Sequence, residues 1–305
     1  MITEPLKLYS YGKILLTGEY TVLKGAEALS LPVKYGQKMI IKPQKNDVLE
    51  WKTYLKDGSL LLDLKMRKDL EEILEVKPEN TGNEIIEILR VLKKMQPNLF
   101  NQGYKIETRF DFDLNYGLGS SSTLIANLSK WAQVNPFELL DATFDGSGYD
   151  VVTSLSGKPV LFQLTGWGRQ WEFLSYYPPF HKHLFFVYLN KKQPTYPVVQ
   201  RFKKMEVPQE VIDEISRITE EIIETREWEK FNDLIREHER ITGQLIKKKP
   251  VQQQLFSDYP GVIKSLGAWG GDMILASGDP HTTPRYFKEK GYEAIFPFAR
   301  LIRKV

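Results

Sequence analysis

The sequence predicts a mixed α+β protein of two domains, on three observations. The chain has 305 residues, of which 42% are hydrophobic, and this is enough to bury a core in each of two domains. In its N-terminal half, short apolar runs between turn residues are typical of strands. From Pro208 to Lys249, apolar residues instead recur at helical spacing, which indicates two long amphipathic helices.

The individual elements follow from local patterns. Strands are expected at residues 34–43, 48–55, 60–64, 103–110, 184–189, 262–266 and 273–277. Helices are expected at residues 82–95 and 120–133, with the two later helices separated near Arg226 and Trp228. A further helix is expected to begin at Asn135-Pro136-Phe137-Glu138, which offers an Asn cap, a proline at the first position and a glutamate three residues after the cap.

Glycine and proline clusters predict the boundary between the two domains. Gly166-Trp167-Gly168 and Pro178-Pro179 follow a strand-like stretch that ends at Phe162. We therefore expect domains of residues 1–175 and 176–305. The strand at 184–189 then begins the second domain.

Composition excludes several classes of protein. The chain has no cysteine, so disulfides, thiolate zinc sites and cysteine nucleophiles are impossible. Met1-Ile2-Thr3-Glu4-Pro5 does not resemble a signal peptide and no apolar run approaches membrane-spanning length, so we expect a cytoplasmic protein with no membrane partner. The net charge of +3 gives no sign of a nucleic-acid surface, and Lys247-Lys248-Lys249 is typical of a helix C-terminus.

A glycine-to-helix junction at residues 115–123 predicts a phosphate-binding loop. Gly117 and Gly119 come directly before Ser120-Ser121-Ser122-Thr123 and an apolar helical run. Glycines let the backbone approach an anion closely, and the unpaired N–H groups at a helix start attract it. The hydroxyls can add hydrogen bonds or reach a phosphate-bound magnesium ion. A serine-rich helix cap would have the same short motif, so the other motifs must decide.

Three further stretches combine glycine with charge. Tyr11–Tyr20 is predicted to be a short strand with Lys13 at its start and a Gly18-Glu19 turn at its end. Gly146-Ser147-Gly148-Tyr149-Asp150 is a turn that presents one carboxylate, and Gly267–Asp272 lies between two strand-like runs. Each has an ordinary alternative, because a lysine at a strand start is usually a surface residue and an aspartate after a glycine turn often caps a helix.

The order and spacing of these four stretches resemble the GHMP kinases, the superfamily of galactokinase, homoserine kinase, mevalonate kinase and phosphomevalonate kinase. The resemblance extends from Ser10 to Ser277 and is greatest to the mevalonate and phosphomevalonate kinases, in particular to a branch labelled by the motif Gly-Tyr-Asp-Ile-Ala. The present chain has Gly148-Tyr149-Asp150-Val151-Val152, which keeps the glycine and the aspartate. Trp269 is a departure, because mevalonate kinase has a glycine there.

The resemblance implies a fold and a cofactor. It implies a ribosomal S5 domain 2-like N-terminal domain that binds ATP, joined to a ferredoxin-like C-terminal domain. The activity that it implies is that of an ATP-dependent phosphotransferase, with ATP and Mg²⁺ as cofactors. Phosphoryl transfer needs the nucleotide held, charge on the γ-phosphate neutralised and a hydroxyl oriented in line.

The resemblance also implies roles for individual residues. Asp150 would accept or orient the proton of the acceptor hydroxyl, and Lys13 would stabilise developing charge. The nucleotide would be held by Gly117, Leu118, Gly119, Ser120, Ser121, Ser122, Thr123, Gly270 and Gly271. The acceptor would contact Glu19, Ser147, Gly148, Lys192 and Thr195. Magnesium would be bound by Ser121 and Glu138, and capping of a helix is the alternative explanation of Glu138.

Three functions remain open on the sequence. The first is phosphorylation of mevalonate or phosphomevalonate, with mevalonate favoured because no arginine cluster marks a second phosphate pocket. The second is phosphorylation of another small alcohol, such as a sugar or homoserine. The third is nucleotide binding without catalysis, against which Lys13, Ser121 and Asp150 together argue. The expected partner is a small-molecule acceptor, and the sequence leaves a homodimer open. A P-loop NTPase is disfavoured because its glycine–lysine motif does not occur.

Overall fold

Strands dominate the first part of the chain and helices the later part, as seen in a computed structural model that describes residues 4–191, 199, 202–267, 269 and 273–305. The strands are β1 (Leu6–Leu15), β2 (Ala28–Gln44), β3 (Val48–Tyr54), β4 (Leu60–Arg67), β5 (Ile73–Lys77), β6 (Gly103–Phe110), β7 (Val160–Thr165), β8 (Gly168–Phe173), β9 (Leu184–Tyr188), β10 (Val262–Ser265), β11 (Met273–Ser277) and β12 (Ile295–Pro297). The helices are α1 (Asn83–Met95), α2 (Ser120–Ala132), α3 (Pro136–Asp141), α4 (Tyr149–Ser156), α5 (Gln209–Glu224), α6 (Trp228–Ile246), α7 (Val251–Leu255), α8 (Thr282–Glu289) and α9 (Phe298–Leu301).

The chain divides into two compact units, and neither is a single stretch of sequence. Unit 1 consists of Met1–Gly12, Tyr35–Leu114 and Gly119–Ser156. Unit 2 consists of Lys13–Lys34, Asn115–Leu118 and Gly157–Val305. Strands β1 and β2 each contribute residues to both units. The domain boundary after residue 175 stays a prediction.

Unit 1 is a sheet covered by helices. Its strands follow the order β5-β4-β3-β6-β2, and β3 pairs with β6 in parallel while the other neighbours are antiparallel. Alternate residues of β3 are buried, including Leu49 and Trp51, as expected for a strand with one covered face. These side chains share a core with Leu89 of α1 and Ile125 of α2. The strands predicted at 48–55 and 60–64 are therefore present.

Unit 2 combines a small antiparallel sheet with the long amphipathic helices. The sheet has the order β10-β11-β9-β12, and β7 pairs with both β2 and β8. The two predicted helices are α5 and α6, separated at residues 225–227. Thr165 pairs with Gly168, so Gly166 and Trp167 form the tight turn of the β7–β8 hairpin rather than a linker. Along the described part of the chain, no helix combines the length and apolar character needed to cross a membrane.

One local prediction needs correction. Strand β1 extends from Leu6 to Leu15, so Lys13 lies near the end of the strand and not at its start. The strand begins earlier than predicted because its extent depends on pairing with β2, which the local pattern around Tyr11 does not show. The predicted mixed α+β class is confirmed by the large mixed sheet and the second, antiparallel sheet.

Candidate functional site

The glycine–serine junction adopts the backbone that a phosphate loop requires. Gly117 and Gly119 have φ angles of 67° and 88°, in the left-handed region that favours glycine. Gly119 is the N-cap of α2, and no side chain caps this helix. Because the first-turn N–H groups of a helix have no acceptor within it, they are directed outwards at the positive end of the dipole.

Of the four hydroxyl groups that follow Gly119, those of Ser122 and Thr123 make hydrogen bonds within the protein, and those of Ser120 and Ser121 belong to residues that line a cavity. Ser122 donates to the Gly119 carbonyl at 2.9 Å and accepts from the Ser154 hydroxyl at 3.1 Å. Thr123 donates to the Ser120 carbonyl at 2.8 Å, so these two hydroxyls brace the helix start. Ser120 is half-buried and Ser121 is exposed, and both line a cavity within unit 1.

That cavity has a volume of about 330 Å³ and lies between a sheet face and two helix starts. Its floor consists of neighbouring strand residues, because Gln37 pairs with Phe110 and Thr53 pairs with both Thr108 and Leu62. Residues from the starts of α1 and α2 complete the lining: Gly82, Glu84, Ile85, Ser120, Ser121 and Leu124. A cavity of this size can enclose a nucleoside.

Asp150 lies in the first turn of α4, also within unit 1. Its Oδ1 accepts a hydrogen bond from the N–H of the next residue, Val151, at 3.0 Å, and Asp150 is the second residue of the helix rather than its N-cap. Gly148 precedes it with a φ of 106°, and Ser147 is buried. The Ser154–Ser122 hydrogen bond joins α4 to the start of α2. The carboxylate is thus on a helix anchored to the phosphate-loop helix.

Lys13 meets two of the predicted glycine stretches within unit 2. Its N–H donates to the Leu118 carbonyl at 2.9 Å. Lys13, Gly117 and Gly267 line the same small cavity of about 30 Å³, together with Tyr116, Leu266 and Met273. Tertiary structure therefore brings together one residue from each of three predicted glycine stretches, those at residues 11–20, 115–123 and 267–272.

Several predicted residues lie outside the described part of the chain. These are Gly270 and Gly271 of the third loop and Lys192 and Thr195 of the acceptor loop. Trp269, the departure from the mevalonate kinase pattern, is buried at 3% exposure and packs with Tyr20 and Phe202 in an apolar cluster. Its indole therefore fills a part of the unit 2 core.

Glu19 belongs to a buried charge cluster in unit 2. The Lys264 ammonium lies 2.8 Å from Glu19 Oε1 and 3.5 Å from Glu239 Oε1, and it also donates to the Ser265 carbonyl at 3.2 Å. Lys264 has no exposed side-chain surface, and Glu19 has 1%. Ser265 donates to the second oxygen of Glu239 at 2.7 Å. Burial raises the pKa of Glu19 to about 7 and also raises the pKa of Glu239.

The hydrogen bonds of this cluster indicate where its protons lie. His238 Nε2 accepts from the Gly18 N–H at 3.1 Å, so the proton of the neutral ring is on Nδ1, beside Thr242. Burial lowers the pKa of His238 well below its usual value, which keeps the ring neutral. Glu19 Oε2 has no other partner and lies 3.5 Å from the unprotonated Nε2. A proton on Oε2 removes this repulsion and leaves one carboxylate to balance Lys264.

The sequence reasoning missed Lys264 and Glu239. The sequence contains a signal for Lys264, because this charged residue lies in the middle of the short strand predicted at residues 262–266. The cluster joins two segments that lead to Lys13. Glu19 comes shortly after β1, the strand that contains Lys13, and Lys264 comes shortly before Leu266 and Gly267, which line the same small cavity as Lys13. Glu19, predicted to contact the acceptor, is directed at Lys264 rather than at solvent, and its direct contact with an acceptor stays a prediction.

Ser121 and Glu138, the two predicted magnesium ligands, have different surroundings. In the described ranges, no group of three histidine, aspartate or glutamate side chains could hold a metal. Magnesium on a nucleotide needs only one or two protein ligands besides phosphate oxygens, and the exposed hydroxyl of Ser121 suits it. Glu138 is exposed, and its Oε1 accepts from Asn135 at 3.2 Å where Asn135 caps α3. Its role as a ligand stays a prediction.

Solved structures of GHMP kinases share this fold. The chain is similar to mevalonate kinase from Methanococcus jannaschii, with a TM-score of 0.68 and 19% identity over 100% of this chain and 99% of that one. It is similar to Streptococcus pneumoniae phosphomevalonate kinase, solved with phosphomevalonate and AMPPNP, with a TM-score of 0.69 and 16% identity over 95% and 99%. For Lactococcus lactis galactokinase, solved with galactose, the values are 0.64 and 13% over 96% and 92%. No protein-family model matches the sequence, and neither does any curated protein. The predicted two-domain GHMP kinase fold is confirmed.

Proposed function

We propose that the protein is an ATP-dependent kinase that phosphorylates a small alcohol. The observation that supports this most directly is the cavity of about 330 Å³ in unit 1, whose wall includes Ser120 and Ser121 at the uncapped start of α2. A helix start attracts phosphate groups, and the neighbouring sheet face, which combines Trp51, Leu62 and Phe110 with a few polar groups, suits a nucleoside. A solved neighbour of the same fold holds the ATP analogue AMPPNP, which supports the same proposal.

The chemistry that we propose divides among a few residues. Asp150 orients the acceptor hydroxyl and takes its proton as the oxygen bonds to the γ-phosphorus. Lys13 stabilises the negative charge that develops on the transferred group, with the proton remaining on Asp150 and ADP departing. The Ser121 hydroxyl would help to hold a nucleotide-bound magnesium ion, which would neutralise phosphate charge. The backbone of residues 117–123 holds the phosphates in place.

We propose mevalonate or phosphomevalonate as the acceptor, with mevalonate favoured. This rests on the Gly148-Tyr149-Asp150 motif and on the structurally similar proteins, which include a mevalonate kinase and a phosphomevalonate kinase. Phosphomevalonate has a phosphate that requires an additional basic clamp, for which the sequence offers Lys191 and Lys192 but no arginine cluster. Galactokinase also shares the fold, so sugars and homoserine belong in the test.

The test is ADP release from Mg·ATP with mevalonate, phosphomevalonate, galactose and homoserine, each assayed with the wild type and with Asp150→Asn. We expect ADP release with one of the first two acceptors, and its loss in the variant. Release with galactose or homoserine alone would overturn the isoprenoid assignment but not the kinase. If Mg·ATP neither binds nor raises the melting temperature, the kinase proposal is wrong, because a ligand of the native state must stabilise it.

A further inference from the structure

One side chain in the cavity floor has unused hydrogen-bonding capacity. Gln37 is 2% exposed and lines the cavity, and its side-chain Oε1 is buried without a partner. The backbone carbonyl of Gln37 accepts a hydrogen bond from Asn127 Nδ2 at 3.0 Å, which joins this part of β2 to α2. A buried amide oxygen without a hydrogen-bond donor is costly in an isolated protein, so a ligand that supplies a donor gains affinity.

A second polar group of the floor is arranged to donate. Thr53 Oγ1 accepts hydrogen bonds from Trp51 Nε1 at 2.9 Å and from the Thr108 hydroxyl at 3.0 Å. These two bonds use both lone pairs of the oxygen, so the single proton of Thr53 is left for another acceptor. Thr53, Thr108 and Gln37 are on the same face of the sheet because Gln37 pairs with Phe110 and Thr108 pairs with Thr53.

We infer that Gln37 is the specificity-determining residue that recognises a 6-aminopurine base in this cavity. The inference rests on the proposed function and adds the residue that selects the nucleotide. A glutamine amide presents one acceptor beside one donor, and adenine matches this pair with its 6-amino group and its N7. Trp51, Leu62 and Phe110 supply the apolar surroundings in which these bonds discriminate well.

The first experiment requires only wild-type protein. Equilibrium binding is measured by calorimetry for Mg·ATP, for the triphosphate of purine riboside, which lacks the 6-amino group, and for 7-deaza-ATP, which lacks N7. We expect each analogue to bind about tenfold more weakly than ATP, the usual effect of removing one partner of a buried hydrogen bond. Equal affinity for all three would overturn the inference and leave the kinase proposal standing. No binding of any of them would overturn both.

The second experiment assigns the discrimination to Gln37. The variant Gln37→Met keeps the size of the side chain without its amide, and we expect it to bind all three nucleotides equally, at the level of the weaker analogues. Gln44→Met is the matched control, because Gln44 is on the same strand and also has an unpartnered buried amide atom but does not line the cavity. We expect Gln44→Met to discriminate as the wild type does. Undiminished preference for ATP in folded Gln37→Met would overturn the assignment.

Discussion

The proton that we place on Glu19 gives a pH-dependent stability that can be measured. Burial raises the pKa of Glu19 from 4.5 to about 7, while the unfolded chain has the ordinary value. Between these two pH values the folded state binds a proton that the unfolded state has released. The contribution of Glu19 is therefore complete below pH 4.5 and is lost as the pH rises through 7. The gap corresponds to about 3 kcal/mol, at ~1.4 kcal/mol for each tenfold change in proton affinity.

The substitution that isolates this effect is Glu19→Gln. The amide oxygen accepts from Lys264 as Oε1 does, the amide nitrogen takes the place of Oε2 beside His238 Nε2, and the side chain stays neutral at every pH. Compared with the wild type, we expect the variant to gain about 3 kcal/mol of unfolding free energy between pH 4.5 and pH 8. The charged and titratable groups that face Glu19, which are Glu239, Lys264 and His238, are the same in both proteins.

The assay is urea unfolding followed by tryptophan fluorescence at pH 5, 6, 7 and 8, with free energies from linear extrapolation. Glu229→Gln, at an exposed position of α6, is the control for the substitution itself. A difference between Glu19→Gln and wild type that is the same at pH 5 and pH 8 would refute the placement of the proton. Such a constant difference would show that Glu19 is already ionised in the folded protein at pH 5.

Three other predictions test the site and the cluster. Asp150→Asn should lower turnover at least about a hundredfold while steady-state kinetics and equilibrium binding show unchanged ATP affinity; near wild-type turnover would mean that the residue only stabilises the helix start. Gly119→Ala should lower the free energy of unfolding by about 1–2 kcal/mol and weaken the rise in melting temperature with Mg·ATP, because the φ of 88° disfavours a Cβ. Gly166→Ala should do neither, because no atom lies within 4 Å of the added Cβ. Lys264→Met should lower the free energy of unfolding in urea by about 3–5 kcal/mol because it leaves the buried Glu239 carboxylate unbalanced, and a loss below about 1 kcal/mol would contradict the ion pairing.

Local sequence determined the elements and the phosphate loop. The spacing of apolar residues predicted α5 and α6 because a helix with one buried face must repeat at that period. Gly117 and Gly119 predicted a backbone that can bend closely around an anion before a helix, and both residues have left-handed φ angles that glycine adopts readily, because this freedom depends on the residue alone. The wrong position of Lys13 within β1 shows the limit, since the extent of a strand depends on pairing with β2, a distant segment.

Tertiary structure alone decided which distant side chains meet. Lys264 and Glu19 are separated by 245 residues and share an ion pair, and no local pattern in either segment states that they will be neighbours. Gln37 reads as an ordinary polar strand residue until the register with β6 places it in the cavity floor with Thr108 and Thr53. Sequence by itself thus determined the mixed α+β class and most of the elements, because backbone preferences and hydrophobic periodicity are local, while the candidate catalytic residues followed from the resemblance to GHMP kinases and stay predictions. The cavity, the burial of Glu19 and the partner of each polar atom were decided only by the folded chain, because burial and pairing are properties of segments brought together from far apart.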